Sequence, residues 1–220
     1  MCGRFVNLNK INKLSKIFNI IESSKDNSDI ISYNLAPSQN SNIILYDDNK
    51  FKIEKLKWGI NFFQKTTRSN INVINSRIET INNKILFKDS FLKRKCLIPA
   101  NGYFEWSVSN NQKKPYFINV PNQELIFFAG IWKYNNNKIN NSKNFSIITK
   151  NANSEISNIH SRMPIVLSIN ESMNYVENKT SDILDKNFVS EIEKELDYYE
   201  VSKFVNSPIN NSEECIKSIN

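Results

Sequence analysis

Between residues 42 and 149 the chain returns again and again to short apolar, β-branched runs. Each is cut off by Asn, Asp, Ser or Lys before it is long enough for a helix. The runs at 42–46, 51–58, 71–75, 96–98, 102–108, 115–120, 125–134 and 144–149 read as strands. The first two form a hairpin around Asp47, Asp48 and Asn49, and NNNKINNSKN at 135–144 reads as the tip between the last two. Tyr33–Ser38 is extended, because Pro37 pushes Ala36 out of the helical region. Helical periodicity is peripheral. It covers 8–22 (Leu8, Ile11, Leu14, Phe18, Ile21), 84–94, 170–178 and 181–195, the last opened by a cap at Ser181 or Asp182. Many strands with peripheral helices predict an α+β fold, a single domain with an antiparallel barrel-like β core. That domain is expected over residues 1–205, with 206–220 as a loose tail.

Composition narrows the class further. A chain of 220 residues can bury a core without disulfide staples. Cys2, Cys96 and Cys215 are few, odd in number and widely spaced, which argues against a disulfide framework or zinc site and for a reducing compartment. No apolar run approaches the roughly 18–20 residues of a membrane span, and the start lacks the charged and apolar regions of a signal peptide. A soluble monomer is expected, with no membrane partner, metal or cofactor. Its expected location is cytoplasmic and nucleoid-associated, or nuclear in a eukaryotic host. The net charge of +7 leaves two readings open. It suits a polyanion such as nucleic acid, or it reflects a coding bias that fills the chain with Asn, Lys and Ile.

Against that bias the scarce residues stand out. Gly3, Arg4, Trp58, Gly59, Arg77, Gly102, Trp106, His160 and Arg162 fall into short segments rather than scattering. Cys2 follows a methionine that is readily trimmed before a small residue. Trimming leaves an α-amine of pKa about 7.7–8.0 beside a thiol of about 8.5. Such an aminothiol condenses with an aldehyde to a Schiff base, which the thiol closes into a thiazolidine; alternatively the thiol acts alone as nucleophile, or Cys2 has no role. Arg4 shares a strand face with Cys2 and can lower a thiol pKa or hold an anion. Asn75 and Arg77 present an amide and a guanidinium two residues apart. Glu105, flanked by aromatics, is either a carboxyl of raised pKa suited to general acid/base work or an outward strand residue. His160, a lone histidine, is too little for a metal site and enough for a proton shuttle.

The blocks MCGRF, YNLAPSQ, WGI, NSRIET, KCLIPANGYFEW and HSRMP, in this order over residues 1 to 170, resemble the signatures of the SOS-response-associated peptidase (SRAP) family. The resemblance implies an α+β domain with a positively charged groove for single-stranded DNA containing abasic sites. It also implies a thiazolidine between the processed N-terminal cysteine and the ring-opened aldehyde. Carried over by motif, Cys2 is the nucleophile and Asn75, Glu105 and His160 line the site. Arg4, Arg77 and Thr149 hold flanking phosphates, and Trp106 and Arg162 join the DNA contacts. Where the family has a proline and a tryptophan after its WGI-like block, this chain reads Asn61-Phe62-Phe63-Gln64, and either Phe62 or Phe63 can stack on a base. Asn101 and Ser76 replace a common aspartate and alanine. The alternatives are a cysteine peptidase acting on other proteins and a non-catalytic nucleic-acid binder. In the abasic-site reading, peptide-bond chemistry is limited to removal of Met1.

Overall fold

The computed structural model of the chain describes residues 2–20, 28–64, 66–109, 112–135, 142–178, 185 and 187–219. In chain order its first half holds β1 (Phe5–Asn7), α1 (Ile11–Ile17), β2 (Ser32–Leu35), β3 (Asn40–Asp47), β4 (Lys50–Trp58), β5 (Ile60–Gln64), β6 (Ser69–Val73), β7 (Asn75–Arg77), α2 (Ile85–Lys93) and β8 (Lys95–Ala100). The second half holds β9 (Gly102–Ser109), β10 (Gln112–Asn119), β11 (Ile126–Tyr134), β12 (Lys143–Asn151), α3 (Ser154–Ser157), β13 (Arg162–Pro164), β14 (Val166–Leu167), α4 (Ile169–Val176) and β15 (Asp197–Glu200). Short 3-10 turns lie at Glu193–Glu195, Lys203–Asn206 and Glu213–Cys215.

The architecture is α+β, a single domain built on two main sheets. One sheet is five-stranded in the order β15-β10-β9-β1-β2. In the other, β4, β3, β8, β11 and β12 close into a ring, because β12 pairs with both β11 and β4. The ring is not a regular antiparallel barrel. β12 runs parallel to β4 over only Asn144↔Lys57 and Phe145↔Trp58, and β7 then takes over that edge, also in parallel. The apolar positions alternate along the ring strands as a period of two requires. Ile43 and Leu45 of β3 and Phe128 of β11 join the core shared with the five-stranded sheet; Ile44 and Phe127 join the core under α1, α2 and α4. Trp58 anchors the shared core, edge-on to Phe5 at 5.1 Å and stacked on Phe145 at 6.2 Å.

The β3–β4 hairpin turns through Asp48 and Asn49, both at positive φ (51° and 59°), the conformation a tight two-residue turn demands. The helix expected at 8–22 is shorter. The Leu8 backbone N–H is taken by Asn101 Oδ1 at 2.7 Å, and Asn19 at φ 51° ends the helical path. The run at 71–75 breaks at Ile74, whose carbonyl accepts the Trp58 indole N–H at 3.0 Å. The helices near 84–94 and 170–178 form as α2 and α4, the latter with a Ser168/Glu171 capping box.

Two expectations need correction. The segment 181–195 is not one helix: residues 187–192 form turns and irregular chain before the 3-10 turn at Glu193–Glu195, while the cap at Ser181 or Asp182 lies outside the described residues. Polar contacts from distant parts of the chain override its periodicity. The Glu171 carboxylate accepts the Ser190 hydroxyl at 2.7 Å and the Glu191 N–H at 2.9 Å, and buried Glu193 pairs with Lys150 at 2.7 Å. Nor are the last residues a loose tail. Val205 and Cys215 are buried against Val6, Phe104 and Phe117 on the outer face of the five-stranded sheet, and Val201 bridges Ser218. The tip expected within 135–144 lies mostly outside the described residues, but the strands it would join, β11 and β12, do pair antiparallel.

Candidate active site

β1 is only three residues long, yet it sits between β9 and β2 in the five-stranded sheet. Phe5 pairs with Tyr103, Val6 with Gly102, and the Arg4 carbonyl accepts the Phe104 N–H at 2.9 Å. This pairing lays the residues before β1 along the Glu105 end of β9. Cys2 is completely buried there. Burial, reinforced by the nearby Glu105 carboxylate, pushes its thiol far up, and the Arg4 carbonyl lies 4.0 Å from Sγ. The backbone of Cys2 is gripped as well: its carbonyl accepts Asn75 Nδ2 at 2.8 Å. Asn75 reaches it because β7 runs beside β12, with Asn75 opposite Ile147 and Arg77 opposite Thr149. Asn75 Oδ1 is buried with no hydrogen-bond partner among the described residues.

Glu105 is 3% exposed. Burial raises its pKa, and the positive charge around it, that of nearby His160 included, draws it partly back. His160 follows α3, a single turn capped by Asn153, whose side chain accepts the Ile156 N–H at 3.0 Å. His160 Nδ1 lies 3.2 Å from the Arg162 carbonyl and accepts the nearer Arg162 N–H at 2.9 Å, a contact that assigns the neutral ring's proton to Nε2. Cys2, Asn75, Glu105 and His160 therefore converge from four separate parts of the chain.

The expected DNA contacts divide. Arg77 is exposed, and Phe62 (42%) and Phe63 (55%) project from the separate β5–β6 hairpin. Gly59 seats that hairpin: it holds φ +114°, and a Cβ there would lie 1.8 Å from Asn72 Oδ1. Arg4 and Trp106 are half-buried beside one another, the guanidinium carbon 6.0 Å from the indole centroid. Thr149 and Arg162 do not fit direct contact. Thr149 is fully buried. The Arg162 guanidinium faces inward, bidentate on Glu79 at 2.6 and 3.0 Å, with Asn151 Oδ1 at 2.6 Å and the Thr149 carbonyl at 2.8 Å. Its place is behind His160, holding the segment whose N–H fixes the imidazole.

Sequence reasoning missed several groups here. Tyr103 lies two residues before Glu105 on β9, within electrostatic reach of both Cys2 and Glu105, and its buried hydroxyl has no partner among the described residues. Nothing in the GYFEW string distinguishes it from an ordinary core aromatic. Asn206, in the segment expected to be loose, accepts the Trp106 indole N–H at 2.8 Å. Asn34 was visible within YNLAPSQ, but its role depends on chain far away in sequence.

The profile of the SOS response associated peptidase (SRAP) family matches residues 1–208. The chain belongs to the SRAP family. Abasic site processing protein YoqW of Bacillus subtilis (strain 168) is 33% identical to it, over 99% of this chain and 100% of the relative. Abasic site processing protein YoaM of the same organism is 31% identical over 100% and 99%. Abasic site processing protein HMCES of Xenopus tropicalis is 28% identical, covering 86% of this chain and 66% of the relative. A solved protein from Bacteroides thetaiotaomicron superposes with a TM-score of 0.81 over 100% of both chains at 23% identity, which shows that the fold is shared. No helix among the described residues of this SRAP chain is long and apolar enough to cross a membrane.

Proposed function

We propose that this chain processes abasic sites in single-stranded DNA by covalent capture through Cys2, after Met1 has been removed. The carrying observation is that the Asn75 amide grips the carbonyl of Cys2 beside a buried carboxyl of raised pKa. A site that used only the thiol would need to orient only the thiol. A site that also uses the α-amine of residue 2 must hold its backbone.

Hydrolysis of the Met1–Cys2 peptide bond by one water frees the amine. The amine attacks the C1′ aldehyde of the ring-opened sugar to give a carbinolamine. Glu105 takes the proton leaving nitrogen and returns one to the departing hydroxyl, so that one water is expelled and the Schiff base forms. The thiol then adds across C=N: sulfur bonds to carbon, and the thiol proton ends on nitrogen through the same carboxyl. A pKa above the ordinary carboxylate range suits a group that must both accept and donate near neutral pH. His160, with its proton on Nε2, is the donor for opening the sugar ring and for reversal. Arg77 and Arg4 take the phosphates on either side, and Phe62 or Phe63 stacks on a neighbouring base.

A peptidase acting on other proteins fits less well. Such enzymes lower the thiol pKa to obtain thiolate, whereas burial and Glu105 raise that of Cys2. Crosslinking to an abasic strand, followed on denaturing gels, tests the assignment. Glu105→Gln is expected to slow adduct formation by about 100-fold, in the range of general acid/base groups, and Asn75→Ala more mildly. Undiminished rates in both, or cleavage of an unrelated protein that Cys2→Ser abolishes, would refute the reading.

A further inference from the structure

Arg4 is held in a way no other described arginine is. Its Nη1 donates to Asn34 Oδ1 at 2.9 Å and to the Val205 carbonyl at 3.2 Å, and its Nη2 reaches the Asn206 carbonyl only at 3.5 Å. All of these partners are neutral oxygens; no ion pair to Arg4 occurs among the described residues. Asn34 is 1% exposed and turns its other end to the C-terminal segment. Its Nδ2 lies 3.1 Å from the Val205 carbonyl, 3.0 Å from that of Ser207 and 2.8 Å from that of Asn210. The same segment holds the Trp106 indole through Asn206.

One side chain thus binds a cation at one end and, with the other, holds the segment whose Val205 carbonyl also binds that cation. The arrangement fixes the guanidinium without neutralising it. Nε is buried without a partner among the described residues, and Nη2, exposed and engaged only at 3.5 Å, is left for an incoming anion. A guanidinium needed only for folding would be cheaper to bury against a carboxylate.

We propose that Asn34 is a positioning residue that, with the C-terminal segment Val205–Asn210, sets Arg4 to take a backbone phosphate. The C-terminal segment is then one wall of the nucleic-acid site rather than a structural appendage. This rests on the reading of the chain as a single-stranded DNA binder.

The test is a double-mutant cycle in the full chain, with an undamaged oligothymidylate strand as probe and thermal unfolding measured in parallel. Asn34→Ala is expected to weaken binding about tenfold, the scale of one hydrogen bond to a charged group. The slope of log affinity against log salt should fall by about 0.7, as for loss of one phosphate contact on a single strand. In an Arg4→Ala background the same substitution should cost no further affinity while still lowering the unfolding temperature. Equal losses of affinity in both backgrounds would show a purely structural role and overturn the proposal. Should Asn34→Ala not fold, hydrogen exchange of the unmodified chain decides. Amides of residues 203–210 slowed by strand binding support the wall, and unchanged exchange overturns it. Absence of any strand binding by the unmodified chain overturns the DNA-binding reading and this inference together.

Discussion

Arg4 and Arg162 are both scarce residues in signature blocks and both lie close to the Cys2 site, Arg4 half-buried and Arg162 buried. Their surroundings are opposite. Arg162 meets the Glu79 carboxylate bidentately, so its charge is spent inside the protein. Arg4 meets only carbonyl and amide oxygens, so its position is fixed while its charge remains available. The difference separates a side chain that builds the site from one that serves a ligand, and the residue type alone does not reveal it.

The largest expected effect lies on the neutralised side. Arg162→Met removes the bidentate pair to solvent-accessible Glu79 together with the hydrogen bonds to Asn151 and the Thr149 carbonyl, and should cost about 2 kcal/mol in urea unfolding at neutral pH. Burial pushes the Glu79 carboxyl up, but the hydrogen bond and charge of Arg162 outweigh it and hold the pKa below the ordinary value. A carboxyl depressed in the folded state stabilises fully above its unfolded pKa of about 4.3 and loses that contribution as pH falls through the folded value. The deficit of Arg162→Met should therefore be widest at neutral pH and close in acid. A pH-independent deficit would remove the ion pair from the comparison.

On the other side, Arg4→Ala should cost only about 1 kcal/mol of stability, since neutral hydrogen bonds alone are lost, yet weaken strand binding about tenfold with a shallower salt dependence. If Arg4→Ala proved the more destabilising substitution and left binding intact, the contrast would be reversed. A smaller effect tests the same logic on a neutral group. Tyr103 carries a buried hydroxyl with no partner among the described residues, so Tyr103→Phe should raise stability by about 1 kcal/mol, read as a higher unfolding temperature. A loss would mean that the hydroxyl is satisfied.

Most of the sheet structure was legible because it is written locally. Alternation along Ile43, Ile44 and Leu45, or Phe127 and Phe128, assigns the two faces of the ring before any partner strand is known. The closure of β12 on β4 and β7 was not legible, since parallel neighbours leave no mark on one another's sequence. The helical pattern at 181–195 misled because Glu171 and Lys150, far away in the chain, take up its polar groups. Position after Met1 singled out Cys2, spacing to Arg77 singled out Asn75, aromatic flanks singled out Glu105, and scarcity in a biased composition singled out His160, Arg4 and Arg162. It could not separate Arg4 from Arg162, because Glu79, which decides the matter, lies 83 residues from Arg162. The contribution of the C-terminal segment was hidden for the same reason: Val205 and Asn206 reach Arg4 through backbone carbonyls, which any residue would supply, and the Asn206 side chain meets Trp106 only across 100 residues of chain.

The central claim is that residue 2 reacts through both its amine and its thiol. Intact-mass measurement of the chain after incubation with an abasic single strand tests it most directly. The account predicts a protein that begins at Cys2 and an adduct equal to protein plus strand less one water, absent in Cys2→Ser. An adduct that still carries Met1, or one formed equally by Cys2→Ser, would contradict it.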